Sequence, residues 1–126
     1  MILGVGIDLV DVARARRLLD AQGERGLARL CTAREAAYVR AHPAGAASFA
    51  ARLAAKEAAY KALSGTAAAR AIGWRDIEVE RAEDGRPSLL FHGRAKERAA
   101  TLGVKSIHVS LTHTDTSAGA IVVLEG

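Results

Sequence analysis

The segment from Phe49 to Leu63, FAARLAAKEAAYKAL, has helical character but no solvent-facing polar stripe, and this constrains the chain more than any other feature. At 100° per residue, Phe49, Leu53, Tyr60 and Leu63 share one face. Lys56 lies in the middle of that face, Glu57 and Lys61 flank it one turn apart, and most other positions are Ala. A surface helix normally carries charge opposite its apolar side. One this bare is expected to be close-packed all round, with Arg52, Lys56, Glu57 and Lys61 aimed at a shared target. The plainer alternative is that Ala is simply the best helix former and that Glu57 with Lys61 is an ordinary i,i+4 pair worth about 0.2 to 0.5 kcal/mol. The helix alone does not separate the two.

The N-terminal run Ile2-Leu3-Gly4-Val5-Gly6-Ile7-Asp8-Leu9-Val10-Asp11-Val12 reads as a buried strand interrupted by a carboxylate. Burying an ionised Asp8 without a partner is costly. A metal ion resolves that cost, and so does a cation such as Lys61. Two separated carboxylates with phosphate oxygens form a typical Mg²⁺ shell.

A length of 126 residues predicts one domain, residues 1–126, with no internal boundary and no repeats. Hydrophobic residues make up 50%, but much of that is Ala, and the aromatic residues are one Trp, two Tyr and two Phe. The core is therefore thin, which favours oligomerisation as further burial. Basic residues outnumber acidic ones 18 to 14, and Arg14, Arg16, Arg17, Arg25, Arg29, Arg34 and Arg40 crowd the first third. Such a surface attracts anions: nucleic acid, acidic lipid, phosphate-bearing cofactors or an acidic protein. A GC-rich genome would enrich Arg as well. The absence of interleaved aromatics argues against nucleic acid. Cys31 stands alone, so a small buried apolar role in a reducing compartment is expected rather than a disulfide. Asp8 and Asp11 break a signal-peptide pattern. No apolar run approaches the roughly 18 residues needed to cross a bilayer. The expectation is a soluble cytoplasmic protein.

Along the chain, Asp11 is placed to cap a helix through about Leu19, with Gly23 and Gly26 punctuating its end. A second helix is expected over Thr32–Ala41, with Thr32 and Glu35 forming a capping box and His42-Pro43 stopping it. The long helix occupies about Ala46–Leu63. Ile77, Val79, Leu89 and Phe91 suggest an antiparallel hairpin with Asp84-Gly85 at its turn. A short helix over Gly93–Gly103 and strands over Val104–Thr112 and Ala118–Leu124 complete the pattern.

Gly6-Ile7-Asp8-Leu9-Val10-Asp11-Val12-Ala13-Arg14, followed by Phe49–Leu63, resembles the two signature motifs of the holo-[acyl-carrier-protein] synthases, the small class of 4'-phosphopantetheinyl transferases. Thr32–Tyr38 is similar to the helix between those motifs. Trp74-Arg75-Asp76-Ile77-Glu78-Val79 is similar to the central strand, and Val109–Thr114 to the penultimate strand with its His. The similarity spans nearly the whole chain, and the joint match is specific where Gly-Ile-Asp or Lys-Glu-Ala alone would not be.

The resemblance implies an α+β fold, the 4'-phosphopantetheinyl transferase fold, with a long central helix on a small, mainly antiparallel sheet. It implies a homotrimer with sites between subunits. It also implies transfer of 4'-phosphopantetheine from coenzyme A to a serine of an acidic apo acyl carrier protein, in fatty acid or polyketide biosynthesis, with no nucleic acid or membrane as partner. Asp8 and Glu57 are then the expected Mg²⁺ ligands, and Glu57 or a metal-bound water the base. Lys61 is the phosphate-facing cation. Arg52, Lys56, Ser110, Thr112 and His113 are expected to hold coenzyme A, and Arg14 and Arg17 to dock the carrier. The chain departs from similar synthases at Leu63-Ser64-Gly65-Thr66, where a Gly-Thr-Gly turn is usual, at Leu53 in place of an aromatic, and in the Ala-rich Ala67–Ile72 connection. Two other readings compete: a non-enzymatic anion or nucleic-acid binding module, and another Mg²⁺-dependent transferase on the same fold. The first explains the Arg-rich first third but neither the strand carboxylate nor the bare helix.

Overall fold

The computed structural model describes residues 1–42, 45–64 and 67–126, with backbone alone for Ala67 and Ala68. The first strand, β1, spans Ile2–Asp11 and leads directly into helix α1, Val12–Leu30. Asp11 occupies the N-cap position, but its side chain makes no capping bond. The expected stop near Leu19 is overturned. Gly23 takes φ 51°, which its missing Cβ permits, and the helix resumes beyond that kink to bury Gly26, Leu27 and Leu30.

Helix α2, Ala33–Ala41, carries the expected capping box: Thr32 Oγ1 accepts from Glu35 N at 3.3 Å and Glu35 Oε1 accepts from Thr32 N at 3.0 Å. His42 is its C-cap, and Pro43 lies outside the described residues. Helix α3 runs over Ala46–Leu63 as expected, and thirteen of its 18 residues are buried. Of the connection that follows, Gly65 and Thr66 lie outside the described residues, while Ala67–Ala71 forms a 3₁₀ turn.

The strands form two separate antiparallel sheets. Strands β2, Ile77–Arg81, and β3, Pro87–Phe91, pair as the predicted hairpin, with Ile77 opposite Phe91 and Val79 opposite Leu89. Helix α4, Gly93–Leu102, leads to β4, Ser106–His113, and β5, Ser117–Glu125. The larger sheet has the order β1-β5-β4. The expectation of a central strand from Trp74 is therefore corrected. Trp74–Asp76 is a 3₁₀ turn, the strand starts at Ile77 in the two-stranded sheet, and β5 is the central strand of the larger one.

Helix α3 packs on one face of the larger sheet. Cβ atoms placed on Gly4 and Gly6 would overlap the carbonyl oxygens of Ala62 and Ala58, so strand and helix meet main chain to main chain. The Gly and Ala content of these two segments is thus what lets them approach. Asp8 and Val10 alternate onto the same face as Gly4 and Gly6, and β5 backs that face with Leu124, Val122, Ala120 and Ala118. On the opposite face, Val5, Ile7 and Leu9 are 56%, 65% and 73% exposed, and Ile121 lies opposite Ile7.

Candidate active site

Asp8 projects from the middle of β1 toward the last turns of α3. Lys61 Nζ donates to Asp8 Oδ1 at 2.9 Å and to the Ile7 carbonyl at 3.0 Å. The Asp8 side chain is only 12% exposed and that of Lys61 55%, so the ammonium closes the site from its solvent side. Glu57 sits one helical turn before Lys61. Its carboxyl is pushed up to about 7, first by burial, then by a hydrogen bond with Asp8 and by the Asp8 charge, while Arg14 and Lys61 pull it down. Two carboxylates are thus crowded together beside a single close ammonium.

Apart from the neighbouring Glu57 carboxyl, which bonds Asp8 only when protonated, buried Asp8 Oδ2 has no hydrogen-bond partner. A buried orphan acceptor beside a second carboxylate is the donor set a cation completes. Among the described residues, no group of three His, Cys, Asp or Glu side chains gathers around a common point. A divalent ion here would therefore take Asp8 and Glu57 and fill its remaining positions with water or phosphate oxygens, a composition that suits Mg²⁺. The cluster opens onto a cleft of about 480 Å³ lined by Glu57, Tyr60, Lys61, Arg70, Ile72 and Trp74. Tyr60, Arg70 and Trp74 were not among the residues expected from sequence. The Ala-rich surroundings of Arg70 and the expected strand at Trp74 concealed them.

Of the other expected site residues, Lys56 also lines this cleft and Arg14 lies near Glu57, whereas Arg52, Ser110, Thr112, His113 and Arg17 are outside the cleft lining. Lys56 is 1% exposed, and its ammonium donates to Glu35 Oε1 at 2.8 Å, to the Trp74 carbonyl at 2.8 Å and to the Ile77 carbonyl. Arg52, 2% exposed, turns toward α2, with its guanidinium 4.2 Å from the Tyr38 ring centre and a 2.6 Å bond to Ser48 Oγ. Its Nε is buried without a partner beside a second cavity of about 620 Å³ that Arg34 and Arg81 also line. Burial holds the Arg52 pKa below its usual value, with Glu35 opposing. Ser110 and Thr112 are exposed on the outer sheet face, across from Ile121 and Gly119, and His113 is exposed at the end of β4. Within one chain these three do not meet Asp8 and Glu57. Arg14 and Arg17 are exposed in the first turns of α1, and Arg14 is near enough to influence Glu57.

Cys31 is buried, and desolvation foremost pushes its thiol up to about 11, which leaves it an inert core residue. No helix among the described residues is long and apolar enough to cross a membrane.

Residues 4–121 match the profile of the 4'-phosphopantetheinyl transferase superfamily. The holo-[acyl-carrier-protein] synthase of Koribacter versatilis is 44% identical over 125 residues, covering 99% of both chains. That of Anaeromyxobacter dehalogenans strain 2CP-1 is 48% identical over 129 residues, covering 100% of this chain and 98% of the relative. Among solved structures, the holo-[acyl-carrier-protein] synthase of Neisseria meningitidis superposes with a TM-score of 0.86 at 26% identity over the full length of both chains. The Bacillus anthracis synthase, solved in complex with CoA (3',5'-ADP), gives 0.79 at 30% identity, covering 98% of this chain and 96% of that one. This chain belongs to the 4'-phosphopantetheinyl transferase superfamily and, within it, to the holo-[acyl-carrier-protein] synthases.

Proposed function

We propose that this protein transfers the 4'-phosphopantetheine group of coenzyme A to a serine hydroxyl of an apo acyl carrier protein, releasing adenosine 3',5'-bisphosphate, and that Asp8 and Glu57 hold Mg²⁺ for the reaction. The observation that carries the Mg²⁺ assignment is the orphan Asp8 Oδ2 beside a Glu57 carboxyl pushed up to about 7. Mg²⁺, when bound, neutralises phosphate charge at the pyrophosphate. Phosphoryl transfer needs little else beyond positioning and charge stabilisation.

The chain's own residues divide that work. Asp8 on β1 and Glu57 on α3 would hold the cation. Glu57, next to the open cleft, is placed to take the serine proton directly or through a water. Lys61, already oriented by Asp8 and the Ile7 carbonyl, presents its remaining N–H to the phosphate oxygens. Arg14, near Glu57, and Arg17, farther along the same helix, supply basic charge for an acidic carrier.

The apolar outer face of the larger sheet supports a homotrimer, because Val5, Ile7, Leu9 and Ile121 need cover that one chain does not supply. Association through that face would bring Ser110, Thr112 and His113 toward a neighbour's cleft to hold the nucleotide end of coenzyme A, while Arg52 borders the separate second cavity. A cytoplasmic setting in fatty acid or polyketide biosynthesis follows from the same reading. Mass spectrometry of an apo carrier incubated with the protein, coenzyme A and Mg²⁺ tests it. The expected product is heavier by one phosphopantetheine, and an unchanged carrier mass refutes the activity.

A further inference from the structure

Lys56 follows the helical face of Phe49 and Tyr60 rather than that of Glu57, and its burial brings an ammonium into the core. Desolvating it is costly unless every N–H finds a partner. All three do: Glu35 Oε1, the Trp74 carbonyl and the Ile77 carbonyl. Glu35 is equally committed. Oε1 also accepts from Thr32 N at 3.0 Å, and Oε2 accepts from Val79 N at 3.0 Å. One ion pair therefore ties α3 to the start of α2, to the 3₁₀ turn Trp74–Asp76 and to the first residues of β2. Trp74 and Ile77, held by their carbonyls, line the same cleft as Glu57 and Lys61.

With its three donors committed, Lys56 has no N–H to offer a phosphate. We propose that Lys56 is a positioning residue: it fixes the Trp74–Ile77 wall of the cleft against α3 and so sets how tightly coenzyme A is held, without touching it. The identity of the ligand rests on the function proposed above, whereas the fixing of the wall does not.

Trp74 is the only tryptophan in the chain and is 37% exposed, so its fluorescence reports on that wall alone. The test is the double variant Lys56→Met/Glu35→Gln, which avoids leaving one buried charge unpaired. Without any ligand, its Trp74 emission should shift to the red and become more accessible to acrylamide. In turnover assays, the KM for coenzyme A should rise about tenfold while kcat stays within about threefold. The same KM penalty should appear with 3'-dephospho-coenzyme A. Lys56→Arg should not restore the wild-type values, because a planar fork cannot reproduce three diverging bonds. Leu124→Ala, a core truncation in β5 away from the Trp74–Asp76 turn, should lower the melting temperature and leave Trp74 emission and KM unchanged. Unaltered Trp74 emission in the double variant overturns the proposal, as does a KM penalty that disappears with 3'-dephospho-coenzyme A. If the wild-type protein transfers no phosphopantetheine, the fluorescence arm still decides the role of Lys56.

Discussion

Replacing Glu57 with Gln should make the protein more stable and nearly inactive. Lys61 gives its ammonium to Asp8 and the Ile7 carbonyl, so removing the Glu57 charge breaks no bond recorded at Lys61 and relieves the crowding with Asp8. A carboxyl raised from its ordinary 4.5 to about 7 contributes stability that is fully present below 4.5 and is lost as pH rises through 7. The full loss corresponds to about 3 kcal/mol at 1.36 kcal/mol per pH unit, which solvent screening of a half-buried side chain reduces to roughly 1 kcal/mol. Gln does not titrate. At pH 8 without metal, Glu57→Gln should therefore melt about 3 to 5 °C above wild type, and at pH 4.5 the two should coincide. Turnover with Mg²⁺ should fall at least about a hundredfold, the scale of losing roughly 2.7 kcal/mol of transition-state stabilisation. Scanning calorimetry in EDTA and mass-spectrometric turnover on one preparation measure both. Near-normal turnover, or a melting temperature that falls at pH 8, would refute the reasoning.

Gly6→Ala should lower stability by about 1 to 3 kcal/mol or prevent folding, since the new Cβ meets the Ala58 carbonyl and one element must move; an unchanged denaturation midpoint contradicts the seam described. Arg14→Glu with Arg17→Glu should raise the KM for carrier far more than that for coenzyme A and weaken the salt dependence, and equal effects on both substrates count against this docking surface. Ile7→Asp should shift the protein toward monomer in sedimentation equilibrium and reduce turnover with it, whereas a fully active monomer removes the trimer. Mixing inactive His113→Ala and Glu57→Gln subunits should recover part of the activity through hybrid sites, and no recovery places the two residues in one subunit's site or outside it.

Much of the fold was legible because its signals are local. The capping box at Thr32 and Glu35, the ends of α3 and the hairpin of Ile77 to Phe91 rest on residues a few positions apart or on plain alternation. The continuation of α1 was hidden by Gly23, which reads as a terminator and acts as a kink. The Asp8 side of the site was visible as a charge without a partner in a strand, and Lys61 as one candidate partner. The engagement of Lys56 was not, because its acceptors lie 21 residues before it and 18 and 21 after it, and two of them are backbone carbonyls with no residue-type signature. The curl at 74–76 was masked by Trp74 and by Ile77 just after it, both good strand formers, although Asp76 is not.

The seam between β1 and α3 also governs how the two carboxylates are spaced. Asp8 follows Gly6 by two residues on one rod, and Glu57 precedes Ala58 on the other, so the separation of the two rods is fixed where main chain meets main chain. Such a contact has almost no give: there is no rotamer to exchange and no methylene to slide. The main-chain spacing between Asp8 and Glu57 is then insulated from rearrangement of neighbouring side chains, and the gap between the carboxylates changes only through their own side-chain torsions unless an entire strand or helix is displaced.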